Sequence, residues 1–180
     1  VNVNGDDEIN DFDRTVIGNP QPDFIFGFNN QFGYKNFDLS IFFQGSYGND
    51  IWNGVRVSHE GMESTYNQFT STLNRWNGEG SSNTMPRAIY ADPNRNNRAS
   101  TRWVEDGSYL RLKNLTFGYR FTQDWLKKIG AKSLRLYLSF DNLWTLTNYS
   151  GLDPEVGLWG LDYGIYPTSR VYMFGASVKF

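Results

Sequence analysis

Apolar and polar residues alternate with a period of two along five stretches of the chain. Between Asp23 and Tyr34, one side carries Phe24, Phe26, Phe28, Phe32 and Tyr34, and the other carries Ile25, Gly27, Asn29, Gln31 and Gly33. From Lys35 to Tyr47, Phe37, Leu39, Ile41, Phe43 and Tyr47 oppose Asn36, Asp38, Ser40, Gln44 and Ser46. Between Tyr109 and Phe121, Leu115, Phe117, Tyr119 and Phe121 keep one phase while Leu110 and Leu112 keep the other, so a bulge or a change of facing is expected near Asn114. From Ser133 to Leu146, Leu134, Leu136, Leu138 and Phe140 oppose Arg135, Ser139 and Asp141. The last stretch, 169–180, sets Tyr172, Phe174, Ala176, Val178 and Phe180 on one side. Such alternation predicts half-buried strands, at about 23–34, 35–47, 109–121, 133–146 and 169–180.

These strands are longer than the ~5–6 residues common in globular sheets. They suit tilted strands that cross a bilayer, which need ~9–11 residues. The connections alternate as well. Tyr34-Lys35 and 122–132 are short, whereas 49–108 and 147–168 are long. Short turns on one side and long loops on the other is the arrangement of a membrane β-barrel. Within the connections, 122–130 is expected to form a small helix, with Thr122 capping its start and Gly130 ending it. Met62, Tyr66, Phe69, Leu73 and Trp76 recur at steps of four, three, four and three, which predicts an amphipathic helix stopped by Gly78. An open five-stranded sheet would leave unpaired edges that lipid does not tolerate, so the chain is expected to be part of a larger barrel.

Composition sharpens this reading. Aromatic residues make up 17% of the 180 positions, so Phe, Tyr and Trp carry much of the apolar content. A mean hydropathy of −0.56 is what two-faced strands must give on average. The net charge of −2 argues against a general nucleic-acid binder. The chain has no cysteine, which removes disulfides, thiolate metal sites and thiol catalysis. It begins on Val1 without a signal peptide and is read as a processed, truncated or incompletely represented chain. His59 is the single histidine, no serine has a nucleophile-elbow setting, and Glu105 and Asp106 are adjacent and so point to opposite faces. No enzyme is expected.

Three internal stretches carry a resemblance: DRTVIGNPQPDFIFGFNN (13–30), RWVEDGSYLRLKNLTFGY (102–119) and LRLYLSFDNLWTLTNYSGLDPEV (134–156). With the terminal strand ending on Phe180, they resemble the C-terminal region of SusC/RagA-type TonB-dependent outer-membrane transporters of Bacteroidetes. The resemblance implies an all-β fold, an antiparallel transmembrane β-barrel of about 22 strands with a plug. Residues 1–180 would supply roughly its last five strands, with long extracellular loops, the plug and the remaining barrel lying outside the chain. It implies active uptake of oligosaccharides or peptides in the bacterial outer membrane, energised by TonB and assisted by a SusD-like surface lipoprotein. A passive porin-like channel is the alternative, and a soluble all-β carbohydrate-binding module a third.

Candidate sites follow. The opening residues align with a twelve-residue calcium loop whose ligands would be Asn2, Asn4, Asp6, the Glu8 carbonyl, Asn10 and Asp13, although Asp7 stands where the sharp turn wants Gly. A self-bonded Asn/Asp turn explains the same residues. No other cofactor is expected. Trp52, Trp103, Tyr149, Trp159 and Tyr163 are the loop aromatics expected to meet substrate. Tyr172, Phe174 and Phe180 resemble the C-terminal signal by which the barrel assembly machinery recognises its clients.

Overall fold

Two residues, Lys35 and Asn36, turn the chain from one long strand into the next, with Lys35 in the left-handed region at φ 53°. A computed structural model describes residues 3–8 and 10–180. It divides into two units, described separately here. The larger comprises Pro22–Asn49, Asp106–Glu155 and Ile165–Phe180. Its strands are β1 (Phe24–Tyr34), β2 (Phe37–Tyr47), β5 (Tyr109–Phe121), β6 (Ser133–Thr147) and β8 (Val171–Lys179). They form one antiparallel sheet in the order β1-β2-β5-β6-β8. Nearest neighbours in sequence lie side by side, which is why short turns suffice on one end of the sheet.

The register sorts the residues by face. Phe28 pairs with Phe43, Leu39 with Phe117, Phe117 with Leu138, and Leu138 with Phe174. A continuous band of Phe, Leu, Tyr and Val therefore runs across one face. The phase conflict in β5 is resolved by a bulge. The β5–β6 register shifts between Leu112 and Asn114, so Leu112 pairs with Trp144 and Asn114 with Asp141. The extra residue restores Leu110 and Leu112 to the side of Leu115 and Phe117. β6 answers with Asn142 at φ 52°.

The connection after β5 is a 3₁₀ turn, Asp124–Ile129, closed by Gly130 at φ 75°. Its cap is Gln123 without a side-chain bond, not Thr122. Leu126 is its buried anchor, and the Ala131 amide donates to the Leu126 carbonyl at 3.0 Å.

The smaller unit holds the residues up to Gln21, Asp50–Glu105 and Val156–Gly164. Its strands β3 (Asp50–Asn53), β4 (Val104–Asp106, whose last residue falls in the larger unit) and β7 (Leu161–Asp162) are ordered β4-β3-β7. β3 and β7 are parallel, with Trp52 opposite Leu161 and Asn53 opposite Asp162. Helix α1 (Gly54–Glu60) starts where the Asn53 side chain accepts the Arg56 amide at 3.0 Å. The amphipathic helix expected from Met62 to Trp76 does not form. After α1 come Gly61 and Met62, the latter at φ 55°, and within 62–76 the helical piece is a 3₁₀ turn at Thr70–Asn74. Asn67, Thr70, Ser71 and Thr72 are weak helix formers, and the Gln68 side chain takes the Met62 amide. The spacing of Met62, Tyr66, Phe69, Leu73 and Trp76 was periodic without a helix to support it. No helix among the described residues is long and apolar enough to cross a membrane.

Trp103 is the centre of this unit, with no accessible surface. Its indole N–H donates to the Arg98 carbonyl at 3.2 Å, and Arg102 and Arg56 lie over its ring at 4.3 and 5.7 Å. Trp103→Ala is therefore expected to cost about 3–5 kcal/mol locally. Limited proteolysis should show new cleavage within 54–105, while the long strands stay protected. An unchanged digestion pattern would contradict this packing.

Candidate functional site

The face opposite the apolar band is built from hydrogen bonds and one ion pair. Asp38 on β2 pairs with Gly118 on β5, and Arg135 on β6 reaches over Gly118 to Asp38. The contact is a fork: Nε donates to Oδ1 at 2.9 Å and Nη2 to Oδ2. Gly118 makes it geometrically allowed, because a Cβ there would lie 2.6 Å from Asp38 Oδ2 and 2.7 Å from Arg135 Nη2. Arg120 stands directly opposite Arg135, so Asp38 also relieves a like-charge pair.

Further along the same face, Asn114 Nδ2 donates to Asp141 Oδ1 at 2.7 Å and to Ser139 Oγ at 3.1 Å. The Thr116 and Ser139 hydroxyls lie 2.8 Å apart. Phe42, Tyr137, Val171 and Met173 share this face, so it is mixed rather than uniformly polar.

At the far end of the sheet a buried arginine ties down the long connection after β6. Arg111 Nη2 bonds Asp153 Oδ1, Nη1 bonds Glu155 Oε2 at 2.9 Å and Thr168 Oγ1 at 3.2 Å, and Nε bonds Thr145 Oγ1 at 3.0 Å. Asp153 also accepts the Glu155 amide at 3.0 Å and the Thr168 amide at 2.9 Å. One carboxylate thus joins residues 15 positions apart to the strand. Burial would push the Asp153 carboxyl up. The amides of Thr168 and Glu155 and the Arg111 guanidinium outweigh that and hold it at about 2.

The sequence-derived candidates separate on exposure. Trp103 and Tyr149 are buried, at 0% and 5%, and act as packing. Trp52 lies in β3, where its amide donates to Gly160. Trp159 and Tyr163 are open to solvent, at 81% and 72%. Tyr172, Phe174 and Phe180 are exposed at the end of the sheet. Of the calcium-loop residues, Asn2 lies outside the described residues. Asp6 accepts the Glu8 amide and the Asn4 side chain, and Asp13 accepts the amides of Val3, Asn4 and Asn10. Those amides lower the Asp13 carboxyl. Among the described residues no three His, Cys, Asp or Glu side chains gather in a metal-holding group. His59 stacks on Phe69 with its Nδ1 3.0 Å from the Val55 carbonyl oxygen, so its ring is engaged in packing. The Arg111 clasp was missed in the sequence, where Arg111 reads as one polar interruption in YLRLKNL. Its signal lay in the paired acids of LDPEV, which need a cation once folded in.

No protein-family model matches the chain. Among curated proteins it is 40% identical to TonB-dependent receptor P3 of Formosa agariphila, over all of this chain and 18% of that protein. It is 33% identical to TonB-dependent receptor P26 of the same organism, over 98% of the chain and 19% of the relative. To the TonB-dependent receptor SusC of Bacteroides thetaiotaomicron it is 29% identical, over the whole chain and 17% of the relative. The fold matches the RagAB peptide importer in its closed-closed state with a TM-score of 0.80 and 26% identity, over 92% of this chain and 18% of that one. The open-open state gives 0.74, over 89% and 17%. The chain spans less than a fifth of the length of these relatives.

The clasp has a pH signature. The folded Asp153 carboxyl lies at about 2, below its ordinary 3.8, so its stabilising contribution is complete above about pH 4 and is lost as pH falls toward 2. Hydrogen exchange at the Glu155 and Thr168 amides should accelerate in that window ahead of the strand amides. Exchange that tracked the strands throughout would show that Asp153 does not hold the loop.

Proposed function

Because the chain belongs to the SusC/RagA-type TonB-dependent receptors, we propose that the whole protein is an outer-membrane nutrient importer, with these residues as the C-terminal part of its barrel wall. The observation that carries this is the two-faced sheet. One face is a continuous apolar band, and the other is held by the Asp38–Arg135 pair and the Asn114–Ser139–Asp141 bonds. The band meets lipid and the bonded face meets a hydrated lumen. β1 and β8 end the sheet, so further strands of the same protein, about 22 in all, complete the wall. The short turns at 35–36 and 122–132 face the periplasm, and the long connections face outside.

A wall of this kind needs no catalytic group, since TonB supplies the work through a part of the protein beyond these residues. The cargo is an oligosaccharide or a peptide. RagAB, the structural relative, is described as a peptide importer. A SusD-like lipoprotein covers the extracellular mouth, and the barrel assembly machinery reads the terminal strand through Tyr172, Phe174 and Phe180.

The importer reading predicts that the intact protein fractionates with the outer membrane and has a mass about five times that of these residues. Uptake of its cargo should collapse when the TonB complex or the proton gradient is removed. Deleting Phe180 should reduce the outer-membrane yield without changing synthesis. Uptake indifferent to TonB would replace the importer with a passive channel.

The opening loop belongs to the same proposal as a calcium site built from Asn2, Asn4, Asp6, the Glu8 carbonyl, Asn10 and Asp13. Ligand spacing supports it, as does Asp7 at φ 64°, the left-handed turn that such loops place at that point. Calorimetric titration with calcium should show binding that Asp6→Ala and Asp13→Ala weaken at least ~10-fold. Equal heats for native protein and variants would leave a self-bonded turn.

A further inference from the structure

The end of the larger unit that carries the short turns is basic. The chain as a whole has a net charge of −2, yet residues 118–135 hold five cations and one acid. Lys35 lies in the neighbouring short turn, where the Arg120 amide donates to the Asn36 carbonyl at 2.8 Å. The acids at this end, Asp38 and Asp124, are already engaged. Asp38 holds Arg135 on the bonded face, and Asp124 takes Lys127 at 2.7 Å in an exposed pair. Lys35, Lys128 and Lys132 form no ion pair among the described residues.

Two of these ammonium groups are placed by contacts at the end of the apolar band. Tyr34, Phe37 and Tyr119 follow one another across β1, β2 and β5. The Phe37 and Tyr119 rings meet edge to face at 4.6 Å, as do those of Tyr119 and Phe121. The Lys35 ammonium stands over the Tyr34 ring, 5.3 Å from its centre. Lys132 precedes Leu134 by two residues and so continues the phase of the band past the strand end. Its amide donates to the Lys179 carbonyl at 2.7 Å, and its ammonium to the Phe180 main-chain oxygen at 3.1 Å. Lys128 belongs to the turn between β5 and β6, where Trp125 and Ile129 are exposed and Leu126 is the anchor. Cations and aromatics thus lie along a rim that runs from the β1–β2 turn to the end of β8. A small anion needs donors that converge on one point. Separate ammoniums spaced along an edge beside an apolar band fit instead a row of phosphates that carry acyl chains.

We propose that Lys35, Lys128 and Lys132 form a surface that selects anionic phospholipids, with phosphates at the ammoniums and acyl chains on the apolar band. The surface rests on the importer reading, which sets this band against lipid and these turns in the periplasm. Lysine suits the task, because its flexible stem stays on apolar surface while the charge reaches the headgroup layer. Each lysine near an anionic membrane surface is worth roughly 5-fold in attraction.

The test uses the whole receptor in a neutral detergent, with equal amounts of phosphatidylglycerol and phosphatidylcholine of the same acyl chains. Native mass spectrometry counts the lipids retained. Phosphatidylglycerol should be retained ~10-fold or more over phosphatidylcholine at low salt, and less so as salt rises. Lys35→Gln, Lys128→Gln and Lys132→Gln together should bring the ratio near unity, whereas Arg at the same three positions should keep it. Because Lys132 also braces Phe180, Lys35→Gln with Lys128→Gln is measured separately. That pair should lower the ratio several-fold in a receptor that still reaches the outer membrane. Equal retention of both lipids by the native receptor, or a ratio that the Gln variants leave unchanged, overturns the surface. So does loss of the preference when inorganic phosphate is added in excess at constant ionic strength, which marks a site for free phosphate. A receptor that stays in solution without detergent overturns the importer reading as well. One that imports under TonB yet retains both lipids alike loses only this surface.

Discussion

Everything in the larger unit depends on backbone pairing across a sheet whose one face is apolar. β1, β2, β5, β6 and β8 satisfy one another's amides and carbonyls in register, and β1 and β8 each keep an outward edge. In water such edges are tolerable. Beside lipid, each unpaired group would cost several kcal/mol, which is the constraint behind the proposal of further strands at both edges. The same constraint explains the bulge at Lys113. Without the extra residue, Leu110 and Leu112 would face the bonded side and Arg111 the apolar one. One inserted residue keeps the band continuous and delivers Arg111 to the acids it needs.

The opposite face shows how charge is tolerated there. Asp38 and Arg135 sit two strands apart and meet only because Gly118 has no side chain. Asn114, Thr116, Ser139 and Asp141 bond across strands rather than outward.

The long strands were legible because period two is a strong signal over eleven or more residues, and even the bulge announced itself as a phase conflict near Asn114. The smaller unit was not. β3 and β7 pair through only two residue pairs, Trp52 with Leu161 and Asn53 with Asp162, and no local pattern connects segments so far apart. The misread helix shows the opposite failure. Met62, Tyr66, Phe69, Leu73 and Trp76 had helical spacing, but Gly61 and the Ser/Thr/Asn residues between them favoured turns. Among the candidate aromatics, Trp103 and Trp159 look alike in sequence, and burial alone distinguishes a packing residue from an available one.

The ion pairs show which charges are already used to hold the fold. Several charged groups of the larger unit are already committed: Arg135 to Asp38, Arg111 to Asp153 and Glu155, and Asp141 as acceptor from Asn114. An ion already paired and partly desolvated gives little further attraction to a second partner, because any new contact must first break the old one. Charge used to hold the fold is therefore not available to hold anything else.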